Sequence, residues 1–428
     1  MNTATETSTT TRKRVRKARR PRLQLTHLGP IQAADVSFGD LTVIVGPQAT
    51  GKSIFLQTLK LLVDRDHIHD TFKHHSMAFN DNAGAFMEGY FGRGMAGVWG
   101  AQSALTWNGS AVELTDFAKP TKSKKRYERM FYIPAQRVMS LPGGVSQNFG
   151  QFNFGDPYTL RAFSDAVHDL IQNEFGAKGE LFPGPNRLNE TLRKPIQTHL
   201  FGGHRLVIDD KDFTKRLGLQ VEGQVKPLGF LSWSAGQREF TPLLMGVYWL
   251  CPTTYRRKTG STANESIEWV VIEEPEMGLH PQGITAVLLL VLELMRRGYR
   301  VVLSSHSPVV LEMVWALQEF KKLRSSELSV RQVLDLPATA EAKKIALSAL
   351  SKDYAVYYFE RDGSVRDISY LDPASLEPSE ADWGGISGFA ARTNEAIADA
   401  VNTAAAPPKR KTKKNAGKQN AATEGSAT

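Results

Sequence analysis

The chain has 428 residues, 41% of them hydrophobic, enough to bury a large core without help from metals. Its one cysteine, Cys251, excludes a disulfide framework within the chain. With no secretory leader and no apolar run longer than Ala286–Met295, the expectation is a cytoplasmic protein with no membrane partner. The formal charge is +9, but residues 1–22 hold eight Lys/Arg and residues 407–428 six, with one acid each; residues 23–406 keep 39 basic against 42 acidic residues, so the body is not basic.

Residues 1–22 lack large apolar side chains and read as a disordered basic tail, as do residues 407–428. Such tails either bind DNA or RNA through counterion release or merely solubilise the chain. From Leu23 to Val45 the pattern is strand-like and ends in the apolar run Leu41–Val45; a helix pattern follows over Ile54, Phe55, Leu56, Leu59, Leu62 and Val63. Residues 67–230 are less regular and read as an inserted lobe. They carry a hairpin signal over 104–109, a helical stretch over 158–175 and a second hairpin over 205–221. A buried strand at 267–272, a helix at 282–297 and a strand at 299–304 complete an α/β pattern with a mostly parallel sheet. Asp64 and Asp66 after the first helix, and Asp209, Asp210 and Asp212 in a hairpin turn, read as solvated faces. His67, His69, His74 and His75 lack the partners and spacing of a zinc site.

Four segments carry chemistry. Gly46-Pro47-Gln48-Ala49-Thr50-Gly51-Lys52-Ser53 fits the P-loop pattern with a strand before it and a helix after it. Its glycines let backbone amides converge on phosphates, Lys52 adds a point charge for the β- and γ-phosphates, and Ser53 offers a hard oxygen to Mg²⁺. Glu273 and Glu274 end an apolar strand in the Walker B arrangement, with Glu273 expected on Mg²⁺ and Glu274 as general base toward water. The usual first acid is Asp, and Glu is one methylene longer, so the division of roles between the two stays open. Ser234-Ala235-Gly236-Gln237 resembles the signature motif of ABC-type ATPases and is also a plain helix-capping box. His306 follows the strand that ends at Ser304. The segment Tyr132–Arg137 leaves three readings: Gln136 as a sensor of Mg²⁺ and water, Arg137 as a phosphate contact, or an ordinary loop. In Leu279-His280-Pro281, His280 reads as structural.

In this order, with the opening Leu25–Ile31 and the acidic Glu273-Glu274-Pro275-Glu276, the motifs resemble the SMC/RecF/OLD-like branch of ABC ATPases over residues 23–400. The resemblance implies an ABC-type ATPase head with an antiparallel β subdomain and a helical lobe, and ATP and Mg²⁺ as ligands. It also implies a homodimer, or a higher homo-oligomer, in which Ser234 of one copy, with Gly236 and Gln237, meets the nucleotide on Lys52 of the other. His306 would be the switch that contacts the γ-phosphate. The implied activity is ATP hydrolysis in anti-phage defence or DNA maintenance, acting on a separate effector such as a nuclease or toxin. No long coiled coil or nuclease domain is expected. The competing readings are the nucleotide-binding subunit of an ABC transporter and an ATP-sensing scaffold that barely hydrolyses.

Overall fold

The computed structural model describes residues 20–79, 81–119, 127–175, 179–184, 187–209, 214–251 and 266–372, with isolated positions up to Ile397 and Ala398. Residues 1–19 of the tail expected over 1–22, the tail at 407–428, and the acids Asp210 and Asp212 lie outside the described residues, whereas Arg22 already begins a strand.

Three sheets organise the chain. The first is antiparallel, β1 (Arg22–Leu28), β2 (Ile31–Ser37), β4 (Trp99–Trp107) and β5 (Ser110–Val112), in the order β2-β1-β4-β5. Its β4–β5 turn is the predicted Asn108-Gly109, both at positive φ (53° and 88°) as a two-residue hairpin requires. The core sheet holds β3 (Leu41–Val45), β6 (Met130–Ile133), β11 (Trp269–Glu273), β12 (Arg300–Ser304), β13 (Tyr354–Phe359) and β14 (Val365–Asp367). Its order is β14-β13-β3-β12-β11-β6, every pairing parallel except β13 with β14. The third sheet, antiparallel, is β7 (Gly179–Phe182), β8 (Arg205–Asp209), β9 (Arg216–Gln220) and β10 (Leu228–Gly229).

The core strands are apolar on both sides because both faces are covered. Leu41, Val43 and Val45, with Val301, Leu303, Val270 and Ile272, enter one core. Here lie α6 (Ala235–Leu250), α7 (Pro281–Arg296) and α8 (Pro308–Lys322). Ile44, Val302 and Val271 face the other way, toward α1 (Lys52–His74), α2 (Ala83–Phe91) and the first sheet. The short helix α3 (Leu114–Phe117) follows β5. Beyond β6 come α4 (Tyr158–Asp169), in the stretch read as helical, and α5 (Glu190–His199), while α9 (Glu327–Val333) and α10 (Ala340–Ser351) precede β13.

Two expectations change. Residues 67–230 do not stand apart: β4 and β5 complete the first sheet, β6 is an edge of the core sheet, and the third sheet holds β7–β10. Asp64 is not on a solvated face either. The helix continues ten residues past it, and its side chain is buried. Its carboxylate accepts from the amides of Arg129 (2.8 Å), just before edge strand β6, and Met130 (3.0 Å), its first residue, and from the Lys60 ammonium (2.7 Å). Lys60, equally buried, also donates to Glu128 and to the Met130 carbonyl. The acidic side chain thus ties the P-loop helix to a strand edge.

Removing one member of a buried ion pair leaves the other charge unsatisfied. Asp64→Ala also strands two amides, so the unfolding free energy should fall by about 3–5 kcal/mol in chemical denaturation.

Candidate functional site

Parallel pairing gathers the motifs at one edge. Ile44 lies opposite Ser304, Ser304 opposite Glu273, and Ile272 opposite Ile133. The P-loop after β3, His306 after β12, the two glutamates at the end of β11 and the Ala135–Arg137 segment after β6 therefore share the carboxyl-terminal edge of four adjacent strands, where open α/β sheets bind ligands.

The P-loop needs its glycines here. Gly46 has φ +136°, and a Cβ on it would sit 2.3 Å from the Phe359 carbonyl oxygen; Gly51, at φ +92°, caps α1 in the left-handed region. Ala49 is also left-handed, Thr50 is buried with its hydroxyl on the Pro47 carbonyl (2.9 Å), and Pro47 and Gln48 form the crest of the turn. The Lys52 ammonium donates to the carbonyls of Gly46 (2.9 Å) and Pro47 (2.6 Å). Desolvation pulls its pKa down to about 8, against the attraction of Glu274.

Glu273 is 1% exposed. Burial pushes its pKa up, opposed by the Ser53 hydroxyl, the Ala135 amide (3.1 Å) and the Tyr132 hydroxyl. Its Oε1 has no well-formed hydrogen bond among the described residues. A buried carboxylate oxygen without a donor, beside the Ser53 hydroxyl, suits a hard divalent cation. No group of three or more His, Cys, Asp or Glu among the described residues is placed to hold a metal. A cation here would therefore take its other ligands from substrate or water, as Mg²⁺ does in phosphoryl-transfer sites.

Glu274 has left-handed backbone, φ +43°, uncommon for a non-glycine residue. Its amide donates to the Ser304 carbonyl (3.0 Å), and its carboxylate lies 3.6 Å from His306 Nε2. That contact, with Lys52 and Arg137 nearby, holds its pKa below the ordinary glutamate value. The result is a partly exposed carboxylate kept ionised beside the loop lysine. Ser234 and Gln237 form the reciprocal capping box at the start of α6, and Ser234 and Ala235 are exposed.

A profile described as "AAA domain, putative AbiEii toxin, Type IV TA system" matches residues 164–312, about a third of the chain. The match takes in Ser234–Gln237, Glu273–Glu276 and His306 and begins after the P-loop, which fits its own pattern independently. The fold is α/β, with a mostly parallel core sheet and the P-loop between β3 and α1. Among solved structures, an SMC head bound to the C-winged helix domain of ScpA aligns with a TM-score of 0.38 and 9% identity over 81% of this chain and 95% of that one. The SMC head domain from Thermotoga maritima gives 0.32 and 14% over 69% and 91%. A dimeric bacterial ABC transporter cassette gives 0.33 and 11% over 81% and 97%. No curated protein matches the sequence.

Several expected residues are joined and one reading is corrected. Gln136 is exposed, one residue from the amide that binds Glu273. Arg137 is fully buried, with its guanidinium spent on main-chain carbonyls, so the phosphate-contact reading fails. Sequence reasoning missed Glu276, whose Oε1 accepts from the Ser305 hydroxyl (2.9 Å) and the His306 amide (2.5 Å) and so anchors the loop that carries the histidine. It also missed Gly278, whose carbonyl lies 2.8 Å from where a Cβ on Gly236 would be. Only the acidic run could have hinted at Glu276; nothing local marks the Gly236–Gly278 contact. His280 occupies the N-cap position of α7, with Pro281 at its first turn.

Gly46→Ala combines a forbidden φ with a backbone collision. It should destabilise the protein by about 2 kcal/mol or more, seen as a lowered melting temperature.

Proposed function

We propose that the protein is an ATP-hydrolysing switch that works as a homodimer, with two nucleotides held between two copies. The observation that carries the reading is the convergence of Lys52, Glu273, Glu274 and His306 on one strand edge, with Glu274 ionised. P-loop amides and the α1 N-terminus take the phosphates. Lys52 leaves the Gly46 and Pro47 carbonyls for the phosphate oxygens. Mg²⁺, when bound, neutralises charge that develops on the phosphates. Ser53 and Glu273 would hold it, with Gln136 beside them. Glu274 accepts the proton of the attacking water, and His306 orients the reacting end of the substrate.

Dimerisation is supported by the signature segment. Ser234 is exposed on a capped helix start whose hydrogen bonds are local, an arrangement suited to meeting an anion on another molecule. Opening and closing of the pair would control a separate effector, a nuclease or toxin, or contact with DNA or RNA through the basic tails. The description of the matched family as a toxin of a type IV system supports a place in defence. No described helix is long and apolar enough to cross a membrane.

Phosphate release should fall by about 10²–10³-fold in Glu274→Gln. That variant should accumulate as a dimer with Mg-ATP in sedimentation, and Lys52→Ala should not. Equal, negligible release by wild type and Glu274→Gln would end the hydrolase reading, and stable co-purification with an integral membrane protein would favour a transporter subunit. Because Lys52 is charged below about pH 8 and neutral above it, ATP affinity should weaken about tenfold from pH 7 to pH 9 by calorimetry.

A further inference from the structure

The Arg137 guanidinium bridges three motif segments. It is 0% exposed; Nη1 donates to the Glu273 carbonyl (2.9 Å), Nη2 to the Glu274 carbonyl (3.1 Å) and Nε to the Glu239 carbonyl (3.0 Å) in the first turns of α6. The Glu239 carboxylate lies 4.0 Å away. The Glu273 and Glu274 carbonyls belong to the two peptide planes that flank the Glu274 Cα. Fixing both planes fixes φ and ψ between them, here at the strained φ of +43° that directs the carboxylate toward His306. Such a conformation costs about 1–3 kcal/mol and persists only where neighbours over-determine it. A planar fork holds both carbonyls in a fixed mutual orientation; an ammonium, whose three donors rotate on a flexible stem, does not impose that orientation.

The third bond runs to the helix that begins with Ser234, five residues earlier. A second joint lies close by, where Gly236 meets the Gly278 carbonyl with no room for a Cβ. The start of α6 therefore cannot move without loading either the Arg137–Glu239 bond or the turn after Glu274.

We propose that Arg137 is a positioning residue that couples the signature helix to the Glu274 carboxylate. Engagement of Ser234 with a nucleotide on a second copy thereby sets the hydrolytic geometry of its own chain's site. The inference rests on the dimer-switch reading above, which wild-type turnover and the Glu274→Gln variant test separately.

Three measurements on the full chain decide it. Arg137→Lys should lower kcat about 30-fold or more with KM within about threefold, because Lys52 and the P-loop remain intact. In the Arg137→Lys background, Ser234→Ala should cost at least about threefold less than it does alone, since the two changes interrupt one linkage. In wild-type protein with AMP-PNP and Mg²⁺, hydrogen exchange should slow together in peptides covering 234–239 and 273–277, with the same dependence on protein concentration. That last measurement needs neither turnover nor a folded variant. The proposal is overturned if a folded Arg137→Lys keeps kcat within threefold of wild type, if the two losses simply multiply, or if the two peptides respond at different protein concentrations.

Discussion

The site depends on one constraint: the central strands are buried on both faces. Val43, Val270 and Leu303 face one core and Ile44, Val271 and Val302 the other, so polar groups find room only where the strands stop. Parallel pairing makes the strands that lead into the P-loop, His306 and the paired glutamates stop at the same edge. Burial of the apolar strands leaves that edge as the place where polar groups collect.

What happens at that edge is a matter of desolvation offset by a few directed bonds. Glu273 is pushed toward its neutral form by burial and drawn back by Ser53, Ala135 and Tyr132, whereas Glu274, half-exposed beside His306, is held ionised. Two adjacent carboxylates thus acquire different characters from environment alone, which is how neighbouring acids come to divide metal binding and proton transfer. Sequence left that division open; burial gives the two acids different environments. Buried cations follow the same logic. Lys60 stays charged because Asp64 and Glu128 surround it, and Arg137 is satisfied by three carbonyls from two segments, the Glu273–Glu274 turn and the start of α6.

The regions that resisted sequence reasoning share a physical cause. Strand β13, Tyr354–Phe359, lies beside β3, whose residues precede it by more than three hundred positions, and no local pattern announces such a pairing. Asp64 looks like a charge after a helix until the edge of β6 is placed against it. Arg137 looks like a surface arginine beside a loop glutamine until α6 closes over it. In each case the deciding partner is distant in sequence.

The sequence by itself determined the α/β class, the P-loop with its flanking strand and helix, the capping box at Ser234, both hairpins and the strand that ends in Glu273. All of these depend on local spacing, turn chemistry and apolar periodicity. Only the tertiary structure decided that His306 stands beside Glu274, that Glu276 anchors the histidine loop, and that Arg137 turns inward to tie α6 to the glutamate turn. Those arrangements depend on which surfaces meet when the core closes. A buried polar group takes whichever partner lies within hydrogen-bond reach, and its neighbours along the chain do not specify that partner.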